Sequence, residues 1–420
     1  MTQIVVGTPY RIQSRSENSG AATSPLLIPT IMYVLSTFLQ RLGYWYSTFP
    51  LPAVMVFSPT VLGIGLLKGR IEFSGMRVNL FIFLAGCILI STLLGTRGTL
   101  TSTIAYFVLY VQWTLRCRMK HDDYIKYLHR IAILTSILCI AGMLQWLAQY
   151  VIKSPYIFSW RGIVPPELLL EQNSLNELTY NSGQYKGNGF FLTEPSSLSG
   201  LAARVLLLTV LILKDLRYVV PLVLGLIFSF SGTGLVFMLL FTALPLGYLL
   251  FEKGSKAAKT QPTSHMVVAA VAAIVIGVLF MHYSDYFVGR VDELSNPRTS
   301  GYARYTTTLL IFREEVMRTT SGFLFGYGPG SFDPLTGHEH STGWIKLFVE
   351  VGLIGTIAFI TFFLACVYSS TRSLYISVAM LFHYIVLDSP VLSPQFTLLA
   401  FAMFVLPVRE IEPDESARHE

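Results

Sequence analysis

Two stretches of this chain hold residue types that could do chemistry. The first is residues 283–352, where five arginines (Arg290, Arg298, Arg304, Arg313 and Arg318) stand with His338, His340 and, at the edge, His282. A guanidinium is a rigid, permanently charged fork that matches phosphate or carboxylate oxygens in pairs. Such a cluster suits binding of an anion, or else it pairs with Glu293, Glu314 and Glu315. A histidine near neutral pH can act as a general base. The H-E-H order at 338–340 lacks the helical spacing of a zinc protease, so no metal is expected. The second stretch is GFFLTEPSSLSGLAARVLLL, Gly189 to Leu208. It carries Glu194 and, ten residues on, Arg204, which a helical rise places roughly 15 Å deeper. An ionisable residue that far into an apolar helix costs about 2.5–3.5 kcal/mol to insert and is a functional candidate. The alternative is an arginine that snorkels or pairs with a polar neighbour. Ser196, Ser197, Ser199, Gly200, Ala202 and Ala203 allow close helix packing or line a cavity. GYGPGSF (Gly326 to Phe332) lacks the strand and helix of a dinucleotide site and reads as a compact turn. His383 and Asp388 read either as partners of the polar loop or as a helix end and a solvated turn.

The elements that position these residues follow from composition. The chain has 420 residues, 53% of them hydrophobic and 13% charged, with a mean hydropathy of +0.57. Soluble domains average about 25% charged residues, so the expected fold is an all-α, polytopic integral membrane protein. About twelve transmembrane helices are expected, at 26–42, 51–67, 78–95, 99–115, 131–152, 192–213, 218–232, 234–251, 265–283, 343–368, 374–388 and 390–408. Residues 218–251 could form a hairpin broken at SFSGTG. No leader with a cleavage site is visible, and the four cysteines suggest neither a disulfide framework nor a metal site.

Every even-numbered connection is short and basic, as in KGR at 68–70, RCRMKHDDYIKYLHR, KDLR, EKGSKAAK and Arg372. The positive-inside rule places these in the cytoplasm together with both termini, the tails 1–25 and 409–420. The transmembrane domain is then 26–408, and its long outer loops are 153–191 and 284–342, the latter between spans nine and ten. The net charge of +6 records this topology and not affinity for nucleic acid. Tyr305, Leu309, Phe312 and Val316 recur at helical spacing, which predicts an amphipathic helix on the outer surface. The segment after Pro407 is expected to be disordered.

The ordered motifs resemble the O-antigen polymerase and ligase superfamily. The late loop of that family ends G-x-G-x-G-x-F, then a His with Asn or Ser, then a helix carrying E-x-G-x-x-G. Here those positions are Gly326, Gly328, Gly330, Phe332, His340 (or His338), Ser341, Glu350, Gly352 and Gly355. GFFLTEPS is similar to the G-x-F-x-E-P-S segment of its polymerases, and SFSGTGLVFML to the span that follows it. The likeness covers roughly residues 187–360. It implies glycosyl transfer on the outer face of the bacterial inner membrane, from an undecaprenyl-diphosphate-linked oligosaccharide. The acceptor would be another lipid-linked repeat, for a polymerase of O-antigen or exopolysaccharide, or lipid A core, for a ligase. It further implies that Arg290, Arg304 and Arg298 hold the diphosphate, and that Arg204 sets the electrostatics or binds within the cavity. Glu194, His340 or His338 would be the base. No cofactor is implied; the implied partners are membrane lipids, a chain-length regulator and a flippase. Tyr156, Phe158, Trp160, Tyr180 and Tyr185 either stack on sugars or form an interfacial belt. A different class, a transporter or flippase of lipid-linked saccharides, also suits many spans with an intramembrane arginine.

Overall fold

Long runs of Leu, Ile, Val and Phe cannot leave backbone groups unbonded in an apolar surrounding, so they close their hydrogen bonds internally as helices. The computed structural model describes residues 24–46, 49–170, 175–178, 183–243, 245–247, 302, 306–336, 342–387 and 393–410. Its helices in chain order begin with α1 (Leu27–Phe38), α2 (Ala53–Leu67), α3 (Gly75–Leu94), α4 (Leu100–Val111) and α5 (His121–Ile152). Then come α6 (Pro195–Leu208), α7 (Val219–Phe228) and α8 (Gly232–Phe237). The segment after residue 302 adds α9 (Thr307–Glu314), α10 (Thr320–Phe325) and α11 (Phe332–Thr336). Last come α12 (Gly343–Thr371), α13 (Leu374–Phe382) and α14 (Pro394–Ala400). Helices α6, α8, α13 and α14 each run on into a wider π turn.

Among the described residues four helices are long and apolar enough to cross a membrane: α3, α5, α6 with its extension to Leu213, and α12. Shorter apolar helices stand at Leu27–Phe38, Ala53–Leu67, Leu216–Phe228, Gly232–Thr242, Leu374–Leu387 and Pro394–Val405, and α4 falls within the expected span 99–115; residues 248–251 and 265–283 lie outside the described residues. In α6, 78% of the most apolar stretch is buried, against 28% in α3. Helix α6 is therefore central, and α3 turns most of its surface outward.

Three features differ from the sequence expectation. Helix α5 starts ten residues earlier than the expected span, at His121. Tyr124, Tyr127, Leu128 and Ile131 are buried along it at helical spacing, and Asp122 and Asp123 sit in its first turn, where acidic charge favours a helix. Short strands also occur. The hairpin β1 (Gly43–Tyr46) with β2 (Phe49–Pro52) is antiparallel. The sheet of β3 (Glu72–Phe73), β4 (Leu115–Met119) and β5 (Pro407–Arg409) pairs β3–β4 antiparallel and β4–β5 parallel. Finally, residues 407–409 are a strand and not a disordered tail, because Val408 is buried and Cys117 N donates to Leu406 O at 2.7 Å beside it.

Among the described residues, two groups of connections are each held together. One meets at the β3–β4–β5 sheet, where Glu72 pairs with Arg116 and Arg118, and Ser370 Oγ donates to Pro407 O. Arg77, fully buried beneath this sheet, donates to Leu115 O at 2.7 Å and Val405 O at 2.9 Å, and to Ser369 Oγ at 2.6 Å. One guanidinium thus ties together the ends of four chain segments. The other group joins the β1–β2 hairpin to residues 157–192 through the Leu42–Leu169 bridge and Leu170 N to Arg41 O at 2.8 Å. It also joins the α3–α4 turn to the Gly-rich turn, through Thr99 N to Pro329 O at 2.8 Å.

Candidate functional site

The segment that delivers Glu194 to the start of α6 is held in an unusual path. Gly189 and Phe190 both have positive φ, 69° and 66°, and for phenylalanine that conformation costs about 1–3 kcal/mol. Its surroundings enforce it. Phe190 N donates to Gln145 Oε1 at 3.1 Å and to Asn188 Oδ1 at 3.1 Å. Phe190 O accepts from Trp160 Nε1 at 2.9 Å. Two residues later Leu192 O accepts from Arg41 Nε at 2.8 Å, and Thr193 N donates to Gln40 Oε1 at 3.4 Å. Glu194 then adopts extended backbone (φ −151°, ψ 160°) as the cap residue, and Pro195 opens the helix. The Glu194 side chain is half-buried and makes no cap bond, and among the described residues no other hydrogen bond or ion pair is made by it.

Deeper in α6 the small residues do the packing that their size permits. Gly234 N of α8 donates to Ser199 Oγ at 3.1 Å, and Ser199 Oγ approaches Ser231 O at 3.3 Å. The helix that GFFLTEPS opens is therefore in direct contact, at Ser199, with the SFSGTG segment. A β-carbon on Gly200 would lie 2.7 Å from His383 Nε2 and 2.9 Å from its Cε1, so one edge of that ring packs against the helix backbone. His383 is buried, edge-on to Phe237 at 5.2 Å, and its Nε2 has no hydrogen-bond partner. His383 directly follows α13 as a buried residue; Asp388 and most of the polar loop lie outside the described residues. Arg204 is 4% exposed and donates from Nε to the carbonyl of Gly200, the residue against which His383 packs, at 3.0 Å. At that exposure it does not snorkel. Arg204 and His383 thus form a buried polar layer below Glu194.

The Gly-rich turn is tied into the middle of α12. Helix α12 breaks at Gly352 (φ 66°, ψ −173°). The break frees two carbonyls, and the turn fills it: Tyr327 N donates to Val349 O at 2.7 Å and Gly328 N to Glu350 O at 3.0 Å. Ser91 Oγ of α3 donates to the same Glu350 O at 2.6 Å. The two motif glycines face each other, since a β-carbon on Gly352 would lie 2.5 Å from Gly326 N and one on Gly326 would lie 2.6 Å from Gly352 N. The buried Glu350 carboxyl accepts from Tyr106 OH at 2.7 Å through Oε2, while Oε1 has no partner.

Of the other residues expected at a site, Arg290, Arg298, Arg304, His338 and His340 lie outside the described residues. Arg313 and Arg318 are exposed on and after α9, and among the described residues neither pairs with Glu314 or Glu315. The amphipathic helix exists, but Thr307, Thr308, Ile311 and Val316 line its buried side, Phe312 packs on Trp344 at 5.6 Å, and Leu309 points outward. Among the loop aromatics, Phe158 and Trp160 are buried supports and Tyr185 packs on Phe158 at 5.5 Å, so only Tyr156 is exposed; Tyr180 lies outside the described residues. Arg41, Gln40, Glu350 and Tyr106 carry structure that sequence reasoning did not assign to a site. For Arg41 the available signal was a charged residue directly after an apolar span and before an aromatic run, which reads equally as an interfacial anchor. Among the described residues no group of three or more His, Cys, Asp or Glu could hold a metal. No family model, curated protein or solved structure matches this chain.

Proposed function

We propose that this chain is a membrane glycosyltransferase that polymerises oligosaccharide repeats linked to polyprenyl diphosphate. The observation that carries the proposal is the unpartnered Glu194 carboxylate, set on a strained and rigidly held backbone at the mouth of the most buried helix. Strain of this kind survives where the surroundings over-determine it, and it clusters at functional sites. In the proposed reaction Glu194 takes the proton from an acceptor hydroxyl. The freed oxygen attacks the anomeric carbon of the donor, and the bond to the diphosphate breaks. The negative charge on the leaving diphosphate is met by arginines of residues 284–342, Arg290, Arg298 and Arg304. His338 or His340 is the competing choice for the base. Because the diphosphate is itself the leaving group, no nucleotide site is needed. Two further facts support the reading. The helix opened by GFFLTEPS touches the SFSGTG segment at Ser199, and the Gly-rich turn touches Gly352. The 153–191 loop that leads into the motif glutamate is one of the connections that the charge pattern places outside.

A transporter of lipid-linked saccharides is the second reading, favoured by the break in α12, since broken helices build transporter sites. Here both freed carbonyls are already bonded, Val349 O by the Gly-rich turn and Glu350 O by the turn and Ser91 together, which satisfies both lone pairs of Glu350 O.

The test is reconstitution. Purified full-length protein in lipid nanodiscs should extend lipid-linked repeats without nucleotide sugar or metal, and a strict need for either would overturn the proposal. In a deletion strain, accumulation of single lipid-linked repeats on the outer face means polymerase. Long unattached polymer means ligase, and repeats trapped inside mean flippase. Arg304→Ala should abolish polymer while single repeats still reach the outer face; normal chain length would remove Arg304 from the mechanism.

A further inference from the structure

We propose that Arg41, assisted by Gln40, is a positioning residue that fixes the Glu194 carboxylate for proton transfer. The inference rests on the assignment of Glu194 as the base. Arg41 and Gln40 are adjacent, follow the end of α1, and are both fully buried. They grip one and the same peptide group. The Leu192–Thr193 unit has its carbonyl bound by Arg41 Nε at 2.8 Å and its N–H bound by Gln40 Oε1 at 3.4 Å. In a trans peptide these two bonds point in opposite directions, so together they fix the rotation of the plane that leads into Glu194. The Thr193 N–H requires an acceptor, which sets the orientation of the Gln40 amide and leaves its Nε2 buried without a partner.

The grip is anchored away from α6. Arg41 NH1 donates to Phe158 O at 2.9 Å, and Asn188 Nδ2 donates to the same oxygen at 3.0 Å. The guanidinium lies over the Trp160 ring, 6.0 Å from its centroid, and Trp160 in turn holds Phe190 O. Arg41 thus ties the end of α1, the 158–160 segment and the Glu194 segment into one unit. Only a planar fork with several fixed donors reaches both carbonyls at once; a lysine keeps the charge but offers a single ammonium.

The experiment uses full-length protein in nanodiscs, a defined lipid-linked repeat as substrate, and separate measurement of kcat and KM. A misplaced base slows chemistry without weakening substrate binding. Arg41→Lys should lower kcat about tenfold or more, and Gln40→Met roughly threefold, each with KM almost unchanged. If Arg41→Lys elutes aggregated, Gln40→Met decides alone. Because the clamp acts through Glu194, Gln40→Met should cost nothing further in a Glu194→Gln background. Wild-type kcat in the clamp variants, a loss expressed mainly in KM, or an additive loss in the Glu194→Gln background each overturns the proposal. If Glu194→Gln is inactive and the clamp variants are fully active, the clamp fails and the base assignment stands. If Glu194→Gln itself keeps the wild-type rate, the base assignment fails and the clamp role falls with it.

Discussion

Replacing Gly352 by alanine tests the joint between α12 and the Gly-rich turn. The residue sits at φ 66° and ψ −173°, a region open to glycine and costing other residues about 1–3 kcal/mol. An added β-carbon would lie 2.5 Å from Gly326 N and from Leu324 C and O. These are backbone atoms, which cannot swing aside as the end of a side chain can, so overpacking adds about 1–3 kcal/mol. Pushing the turn away also weakens the bonds from Tyr327 N to Val349 O and from Gly328 N to Glu350 O, at about 1 kcal/mol each. The total of about 4–8 kcal/mol is a large share of the roughly 5–15 kcal/mol by which a folded protein is stable. Gly63→Ala is the control. Gly63 lies inside α2 with nothing within 4 Å of an added β-carbon, and alanine there should be neutral or stabilising by about 0.5–1 kcal/mol. Thermal unfolding of the two purified full-length variants, followed by tryptophan fluorescence, compares them. If Gly352→Ala melts no lower than Gly63→Ala, the break and its glycine–glycine contact are not what joins the loop to the helix.

Other substitutions probe the rest of the frame. Arg77→Lys keeps the charge but cannot serve Leu115 O, Val405 O and Ser369 Oγ together; the fraction of protein eluting as a single species in size-exclusion chromatography should fall sharply. Tyr106→Phe leaves the buried Glu350 carboxyl without its hydroxyl donor and should cost about 1–3 kcal/mol. Adding Glu350→Met to it should cost less than the two single changes together, as read by denaturant unfolding. Burial pushes the Glu72 carboxyl up, but the bonds and charges of Arg118 and Arg116 win and hold it below the usual carboxylate range. Its contribution is therefore present above the unfolded value of about 4.3 and is lost as pH falls through the lower folded value. The Glu72 side chain is 45% exposed, so the effect is under about 1 kcal/mol. Glu72→Gln should flatten the acid side of a melting-temperature profile between pH 3 and 7 and change little at neutral pH.

The helices were legible because apolar length is a local property: residues 27–38, 53–67 and 75–94 fold close to where composition places them. The Gly-rich turn was legible as a turn, since three glycines with a proline leave few alternatives. Its use was not, because Gly352 looks like any glycine in an apolar helix until Gly326 is brought against it. Likewise RCRMK reads as a topology marker, and nothing in those residues announces that they form a strand paired with Pro407–Arg409. In α5 the signal was present: Tyr124, Tyr127 and Leu128 keep the helical spacing of the span that follows, but the surrounding charge conceals it. At the candidate site Glu194 and Arg204 stood out through charge in an apolar context. Arg41 did not, since its meaning lies in two carbonyls at positions 158 and 192, far along the chain.

The parallel pairing of β4 with β5 sets an order in time. Strand β5 follows every other described element, yet its partner lies between α4 and α5. Helices made early can enter the bilayer one after another while one edge of β4 stays open. That edge closes only when Pro407–Arg409 is synthesised, and the Val405 carbonyl that Arg77 needs arrives in the same few residues. Non-local pairings of this kind form late, because loop closure must precede the contacts that reward it. A ribosome stalled before this point leaves an unpaired strand beside a buried cation, a surface that a membrane protease could use to tell unfinished chains from finished ones.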